Sequence, residues 1–382
     1  MHILFVSHNY PFESDPGFGF FCKQQAEALA LQSHKIGVVC PLAYSIPRIV
    51  VKKRRFYFGK RKTIERGVVS KLFFFPSIPK WKGFRQYLIN KIGMRMVDEY
   101  IREYGKPDVI HLHVFHAARL GIDASIRFEI PLVWTEHFSD IDRQLIDRKD
   151  EIELVELCKA ATARVAVSRA FKASLEAKFG VSFDYIPNVY QSDLFKPDER
   201  RPDTNPFIFV TVGNLDGNKN QERLIRAFQL AFSPTESVLL KIVGDGEDWD
   251  FLRKLISRNS LEKQIEMTGY LSSAEVLEVF HRSHAFVLPS DYETFGVAVI
   301  EAMACGLPAI ATKCGGPESI ITSDRVGLLV EKNPKALAEA MRKLYENYQE
   351  YSRSEVARFA WDNFSYEAVG QRLTELYQKC TS

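Results

Sequence analysis

The chain has 382 residues, 46% hydrophobic and 26% charged, which is enough for two or three cored domains and unlike a disordered polymer. Its net charge of +3 excludes a uniformly basic surface for coating nucleic acid, and no uncharged apolar run is long enough to cross a membrane. The six cysteines (Cys22, Cys40, Cys158, Cys305, Cys314 and Cys380) show no C-x-x-C spacing, which argues against a thiolate metal site and for reduced, mostly buried thiols in a cytoplasmic protein.

The first apolar run, Ile3–Val6, is too short for a secretion signal and lacks a basic start. Strands are expected at Ile3–Ser7, Lys35–Cys40, Val109–His113, Leu132–His137 and Arg164–Ser168, with helices at Phe20–Ser33, Phe84–Tyr104 and Arg169–Phe179 between them. This alternation implies a parallel sheet wrapped on both faces, with binding in the loops at the carboxyl ends of its strands. The polar, proline-containing stretch KPDERRPDTNP, from Lys196 to Pro206, is the expected linker. A second series follows, with strands at Phe207–Gly213, Val238–Gly244, Ile265–Gly269, Ala285–Leu288 and Ala309–Thr312 and helices starting near Asn220, Asp248, Ser273, Phe295 and Pro334. Two open α/β domains joined by a linker leave a cleft between them, a common place for a ligand.

The segment from Ala285 to Pro317 carries the most chemistry. Its strand ends at Pro289-Ser290; then come Glu293-Thr294-Phe295-Gly296 and a short amphipathic helix stopped by Gly306 and Pro308. With a helix starting near Phe295, Glu301 lies about 9 Å along the axis at roughly 1.5 Å per residue. Glu293 stays on the preceding loop, and the amides of Phe295, Gly296 and Val297 form an anion site between the two carboxylates. Such a cradle suits a nucleotide sugar, with hydroxyls at either end of a diphosphate; an amphipathic helix with two solvated glutamates has the same spacing. Lys219, at the start of the helix after Gly213-Asn214, is placed to reach a diphosphate or to stand solvated. Turns at Gly244 and at Gly269-Tyr270 end two further strands, and Gly17-Phe18-Gly19 follows the first strand of the chain. His137 lies just past a strand end, a position open to a structural or a catalytic role. Of the D-x-D pairs Asp140/Asp142 and Asp248/Asp250, the second opens a helix, where acids favour the dipole, and no metal site is expected.

Together these residues resemble the retaining glycosyltransferase family 4, the "glycosyltransferase group 1" type, with the two-domain GT-B fold of two Rossmann-like doubly wound domains. The strings VTVGNL, KNQERLIRAF, KIVGDGE, TGYLS, FVLPSDYETFGVAVIEAMACGLPAIAT and GGPESI occur in the family's order, and Glu293 and Glu301 match its E-x7-E signature. In the first half SHNYPF, GFG, TEHFSD, VAVS and IPNVYQSDLFKP also look like its pattern, and FAWDNFSYEAVGQRLTELY resembles its last helix, which crosses back to the first domain. The resemblance implies an acceptor-side domain over residues 1–195 completed by residues 365–382, and a donor-binding domain over 196–364. It implies that Glu301 accepts from ribose hydroxyls and that Glu293 holds the donor sugar with Thr294, Phe295 and Gly296. Lys219 would neutralise the diphosphate, His137 would sit by the reactive carbon, and Gly17, Gly19, Gly213, Asn214, Gly244 and Tyr270 would line the donor. Members often carry arginine where this chain has Asn214, so Arg223 or Lys313 are the other bases to consider. Nucleotide-sugar epimerase and non-catalytic binding protein are the alternative classes. No cofactor is implied beyond the donor substrate.

Ten Lys/Arg and one acid, Glu65, lie between Arg48 and Lys71, a local +9 that leaves −6 for the remainder of the chain's +3. With Phe56, Tyr57, Phe58, Phe73, Phe74, Phe75 and Trp81 interleaved, residues 48–82 suit an anionic membrane surface and a glycan or lipid-linked acceptor. A solvated loop has the same composition. No nucleic-acid recognition motif accompanies it.

Overall fold

The computed structural model describes residues 1–13, 15–45, 57–77, 81–143, 145–198 and 205–381. Two compact units emerge: Met1–Val167 with Phe171–Val189 and Tyr366–Ser382, and Ser168–Ala170 with Tyr190–Ser365. Residues 199–204 of the expected linker, and the bases Arg48, Lys52, Lys53, Arg54 and Arg55, lie outside the described residues.

The strands of the first unit are β1 (His2–Ser7), β2 (Lys35–Ser45), β3 (Gly59–Glu65), β4 (Val68–Ser77), β5 (Val109–His113), β6 (Leu132–Glu136), β7 (Ala163–Ala166) and β8 (Asp184–Tyr185). They form one sheet in the order β3-β4-β2-β1-β5-β6-β7-β8. Every pairing is parallel except that of β3 with β4. The sequence reading placed no strand in that region, because the basic residues conceal the alternation of Val68, Ser70, Leu72 and Phe74, which are buried. Glu65 pairs with Val68, so Arg66 and Gly67, both at positive φ, turn the chain back as a two-residue hairpin. This leaves β3 as an edge whose Lys60, Arg61 and Lys62 are exposed, and charges on an edge discourage pairing by another chain.

Among the described residues, the helices α1 (Phe20–Leu31), α2 (Lys82–Tyr104), α3 (Ala118–Phe128), α4 (Arg148–Ala160) and α5 (Arg169–Phe179) alternate with these strands. The acids of α2 face the hairpin, with Glu99 on Lys60 at 2.8 Å and Glu103 on Lys62 and Lys71 at 2.5 Å each. The described part of the basic segment is therefore largely paired, in exposed contacts that add little stability each. Strand order reverses between β1 and β5, and their carboxyl ends mark the topological switch point of this sheet.

In the second unit β9 (Phe207–Val212), α6 (Gln221–Ala231), β10 (Val238–Val243), α7 (Trp249–Arg258), β11 (Ile265–Gly269), α8 (Ser273–Arg282), β12 (Ala285–Leu288), α9 (Val297–Ala304), β13 (Ala309–Thr312), β14 (Gly327–Val330), α10 (Pro334–Glu346) and α11 (Arg353–Phe364) follow in turn. The sheet order is β11-β10-β9-β12-β13-β14, all parallel, and its switch point lies between β9 and β12. Continuous apolar runs such as Ala285–Leu288 are buried throughout, as strands covered by helices on both faces must be.

The last helix, α12 (Tyr366–Thr381), belongs to the first unit and lies on α1. Val369, Leu373 and Tyr377 are fully buried in that unit's core. Tyr366 donates to Glu27 at 2.9 Å, and the Tyr377 hydroxyl is 2.6 Å from His111 Nδ1. No helix of the described residues is long and apolar enough to cross a membrane.

Candidate functional site

At the switch point of the second unit, two loops bring Lys219 and Glu293 together. After β9, the Asp216 carboxylate accepts from the amides of Asn218 and Lys219 at 3.1 and 2.9 Å and curls the chain into α6. Asn220 then caps that helix by accepting from the Arg223 amide at 3.0 Å. The Lys219 stem passes over Gly213, where a Cβ would stand 3.7 Å from its Cε. Its Nζ lies 2.5 Å from Glu293 Oε1, and Ser290 Oγ donates to the same oxygen at 2.7 Å. Burial by itself pulls the Lys219 pKa down, but the charge and hydrogen bond of Glu293 outweigh it and the net shift is upward. The ammonium is thus charged and, in the free protein, compensated.

Glu293 is fixed through its backbone. Its amide donates to Cys314 O at 2.9 Å, and the Gly316 amide donates to its carbonyl at 2.8 Å. The glycine turn lies so close that a Cβ on Gly316 would fall 2.2 Å from Phe295 O and 2.3 Å from Phe295 Cα. Phe295 is 1% exposed and packs edge-on against Phe364, ring centroids 5.9 Å apart. That anchoring corrects the expected helix start: α9 begins at Val297, with Gly296 in the left-handed region as its N-cap and no side chain capping it. Glu301 therefore lies about 6 Å along the axis, at roughly 1.5 Å per residue, closer to the first-turn amides than the expected 9 Å. Thr294 is half-buried beside Glu293.

Glu301 is half-buried and has neither a hydrogen-bond nor an ion-pair partner among the described residues, and burial pushes its carboxyl up to about 8. The unfolded chain releases this proton near pH 4.5. Stability therefore falls as pH rises from there to about 8 and is level above it. Glu301→Gln is expected to raise the thermal midpoint of the ligand-free protein at pH 8 and to change it little at pH 4.5, as scanning calorimetry at the two pH values will check. An equal effect at both would mean that the carboxyl is not held protonated by burial.

The other bases considered are engaged elsewhere. Arg223 is bound to Asp291 at 2.5 Å and to the Pro289 carbonyl at 2.6 Å, and exposed Lys313 pairs with Glu331 at 2.7 Å. Asn214 is exposed, and its carbonyl accepts from Gln221. The loops after β9, β10 and β11 meet backbone to backbone: a Cβ on Gly244 would fall 1.9 Å from Gly213 O, and the Gly244 amide donates to Gly269 O at 2.9 Å. Tyr270, next along, is 70% exposed.

In the first unit, Gly19 caps α1 against the Asn9 backbone, whereas Gly17 is exposed with open space around it. Phe21 of α1 stacks on the His137 ring at 4.0 Å, and His113 Nδ1 lies 3.1 Å from His137 Nε2. Burial takes the His137 pKa down to about 3, with Asn188 opposing, so the ring is neutral near pH 7. Sequence reasoning passed over Glu136, whose buried carboxylate accepts from the amides of Phe115, His137 and Phe138 and from Trp134 Nε1. Burial still pushes it up to about 7. A glutamate inside an apolar strand was its only signal.

Ser174 donates to Asp142, and among the described residues no group of three His, Cys, Asp or Glu side chains is placed to hold a metal ion. All six thiols are free, and five are buried.

Two family profiles match nearly the whole chain between them, "Glycosyltransferase Family 4" over residues 17–192 and "Glycosyl transferases group 1" over residues 193–358. A glycogen synthase of Mycobacterium tuberculosis is 24% identical, with 99% of this chain and 94% of that protein covered. Among solved structures, sucrose-phosphate synthase from Thermosynechococcus elongatus superposes with a TM-score of 0.78 at 19% identity, covering 99% of this chain and 98% of that one. HepE of Anabaena, solved with UDP and with UDP-glucose, superposes at 0.74 and 0.71 with 20% identity over 99% of this chain and 100% of its own. These likenesses fix the fold as GT-B.

Proposed function

The chain belongs to the group 1 glycosyltransferases, and from that premise we propose that it transfers a sugar, with retention at the anomeric carbon, from a nucleotide diphosphate sugar to a glycan or lipid-linked acceptor. The observation that carries this reading is the Lys219–Glu293 pair at the switch point between β9 and β12, with Glu301, one turn into α9, unpartnered among the described residues. The second unit would hold the donor. Glu301 would take ribose hydroxyls, and Glu293 would exchange Lys219 for hydroxyls of the sugar. The released ammonium would turn to the diphosphate together with the first amides of α9. Gly213, Asn214, Gly244, Tyr270, Thr294, Phe295 and Gly296 would line that site. UDP-glucose, which HepE binds, fits the requirement for a diphosphate between two hydroxyl-bearing ends.

In the reaction the bond between the anomeric carbon and the phosphate oxygen breaks as positive charge grows on the sugar ring. The acceptor hydroxyl attacks on the face the phosphate leaves, and its proton passes to the departing phosphate oxygen. Lys219 and the α9 amides stabilise the charge developing there. The first unit would receive the acceptor, with His137, neutral, by the reactive carbon and Gly17–Gly19 closing over the phosphates. We assign the product to cell-surface polysaccharide or glycolipid synthesis at the cytoplasmic face of a membrane, approached through residues 48–82.

A thermal-shift screen across UDP-, GDP- and ADP-sugars tests the donor class, and one of the three is expected to raise the midpoint. Turnover of that donor is expected to be unchanged in a chelator, since no metal takes part. Loss of turnover on chelation would overturn the metal-free step, and release of free sugar with epimerisation would replace the transferase reading.

A further inference from the structure

The two loops that carry the Lys219–Glu293 contact are also tied together by residues outside it. Asp291, two residues before Glu293, is engaged through every polar group it has. Its amide donates to Asn218 O at 2.8 Å and its carbonyl accepts from Lys332 Nζ at 2.7 Å. Its carboxylate accepts from Asn220 Nδ2 at 3.0 Å and from Arg223 at 2.5 Å. A second nitrogen of Arg223 donates to the Pro289 carbonyl at 2.6 Å, and Asn218 Nδ2 donates to Tyr292 O at 3.0 Å. Asn220 stands at φ 50°, in the left-handed region that asparagine tolerates. Its carboxamide oxygen caps α6 while its nitrogen holds Asp291.

Lys219 lies between Asn218 and Asn220, and Glu293 follows Asp291 and Tyr292, so this strip of bonds fixes the backbone on both sides of the pair. Arg223 is its bolt. The side chain is only 11% exposed, and its planar fork reaches the end of β12 and the loop beyond it at once, through the Pro289 carbonyl and the Asp291 carboxylate. Lysine is a point charge on a flexible stem, so its ammonium is only as well placed as the backbone it starts from. A donor stabilises developing charge when it is preorganised, and a misplacement of about 1 Å can cost 10²-fold in rate. With Asn214 bringing no charge, that placement bears on a single ammonium.

We propose that Arg223 and Asp291 are positioning residues for the transfer: they set the Lys219 ammonium for the diphosphate and touch no part of the donor themselves. The assignment rests on the reading that Lys219 serves the reaction. A direct role would require Arg223 to leave both the Asp291 carboxylate and the Pro289 carbonyl. The strip also limits what donor binding has to move. The Lys219 and Glu293 side chains part, while the two backbones that carry them stay in register.

Steady-state turnover of the donor tests this in the full chain, with Arg223→Met, Arg223→Lys, Asp291→Ala and Arg223→Met combined with Lys219→Ala, each beside its melting curve. Arg223→Met and Asp291→Ala should each lower kcat about tenfold or more with donor KM little changed, and Arg223→Lys should recover part of the loss. In the Lys219→Ala background Arg223→Met should cost no further turnover, because the ammonium it acts through is gone, whereas a merely structural loss would lower both backgrounds alike. Normal kcat in Arg223→Met, or a further loss in the Lys219→Ala background, overturns the proposal. So does an Asp291→Ala protein that turns over faster, which would mean that freed Arg223 serves the diphosphate itself. Asp291 is 44% exposed and stays solvated without its partner; should Arg223→Met still melt below the assay temperature, Asp291→Ala carries the same cycle. Labelling by acetic anhydride with peptide mass spectrometry needs no activity. Lys219 should react slowly in the unmodified protein and, in Arg223→Met, at a rate nearer that of Lys335, whose side chain is 85% exposed. Equal labelling of Lys219 in the two proteins overturns its positioning by Arg223. Faster labelling in Arg223→Met of a protein that turns over no nucleotide sugar would sink the transferase reading and leave the strip standing.

Discussion

Lys219→Ala is expected to lower turnover with the nucleotide-sugar donor about 10²-fold or more, the scale seen when one preorganised donor to a developing anion is removed. The argument rests on what surrounds the ammonium. Arg223 is tied to Asp291 and the Pro289 carbonyl, Lys313 is exposed on Glu331, and Asn214 brings no charge. Removing Lys219 also strips Glu293 of its counter-charge, and breaking a partly buried pair destabilises by about 3 kcal/mol. The two effects are separable. Lys219→Met combined with Glu293→Gln removes both charges, so its thermal midpoint is expected near that of the unmodified protein while turnover stays low. Steady-state rates beside melting curves decide the matter: near-normal turnover in Lys219→Ala would remove the residue from the chemistry.

Gly316→Ala is expected to cost about 3 kcal/mol, the upper range for forcing atoms into a packed site. Here the φ is ordinary and the obstacle is distance, because the new methyl would fall 2.2 to 2.4 Å from three backbone atoms of Phe295. Backbone held between β12 and α9 yields less readily than a side chain. Relief would displace Phe295 and Gly296, and with them the first amides of α9, so donor affinity should fall together with the urea midpoint. Gly217→Ala is the control: a Cβ there meets nothing within 4 Å, and both measurements should stay put. A Gly316→Ala protein with an unchanged midpoint would show that the turn has slack.

Much of the second unit is legible in the sequence because its inner strands are short apolar runs. Ala285–Leu288 and Ala309–Thr312 have the expected bounds, since burial on both faces leaves little room for polar residues, and the edge strand Ile265–Gly269 has them too although its Glu266 is exposed. Residues 59–77 were not legible as strands, because an edge hairpin carrying Lys60, Arg61 and Lys62 has the composition of a solvated basic loop. At the candidate site, Lys219 and Glu293 stand out singly, as a lysine at a helix start and a glutamate ahead of a glycine. Their contact spans 74 residues and depends on β9 and β12 being neighbours, which only the sheet order supplies.

The course of the last helix has a consequence for how the protein is made. The core of the first unit is closed by Tyr366, Val369, Leu373 and Tyr377, so the first 189 residues leave the ribosome with one wall of their core missing. At roughly 5–20 residues per second, about 10 to 35 seconds of synthesis separate that point from the arrival of α12. During that interval α1 and the far end of β5 present apolar surface to the cell, while the second unit, contiguous but for three residues, can complete itself. The order of maturation is thereby the reverse of the order of translation: the part made first is finished last.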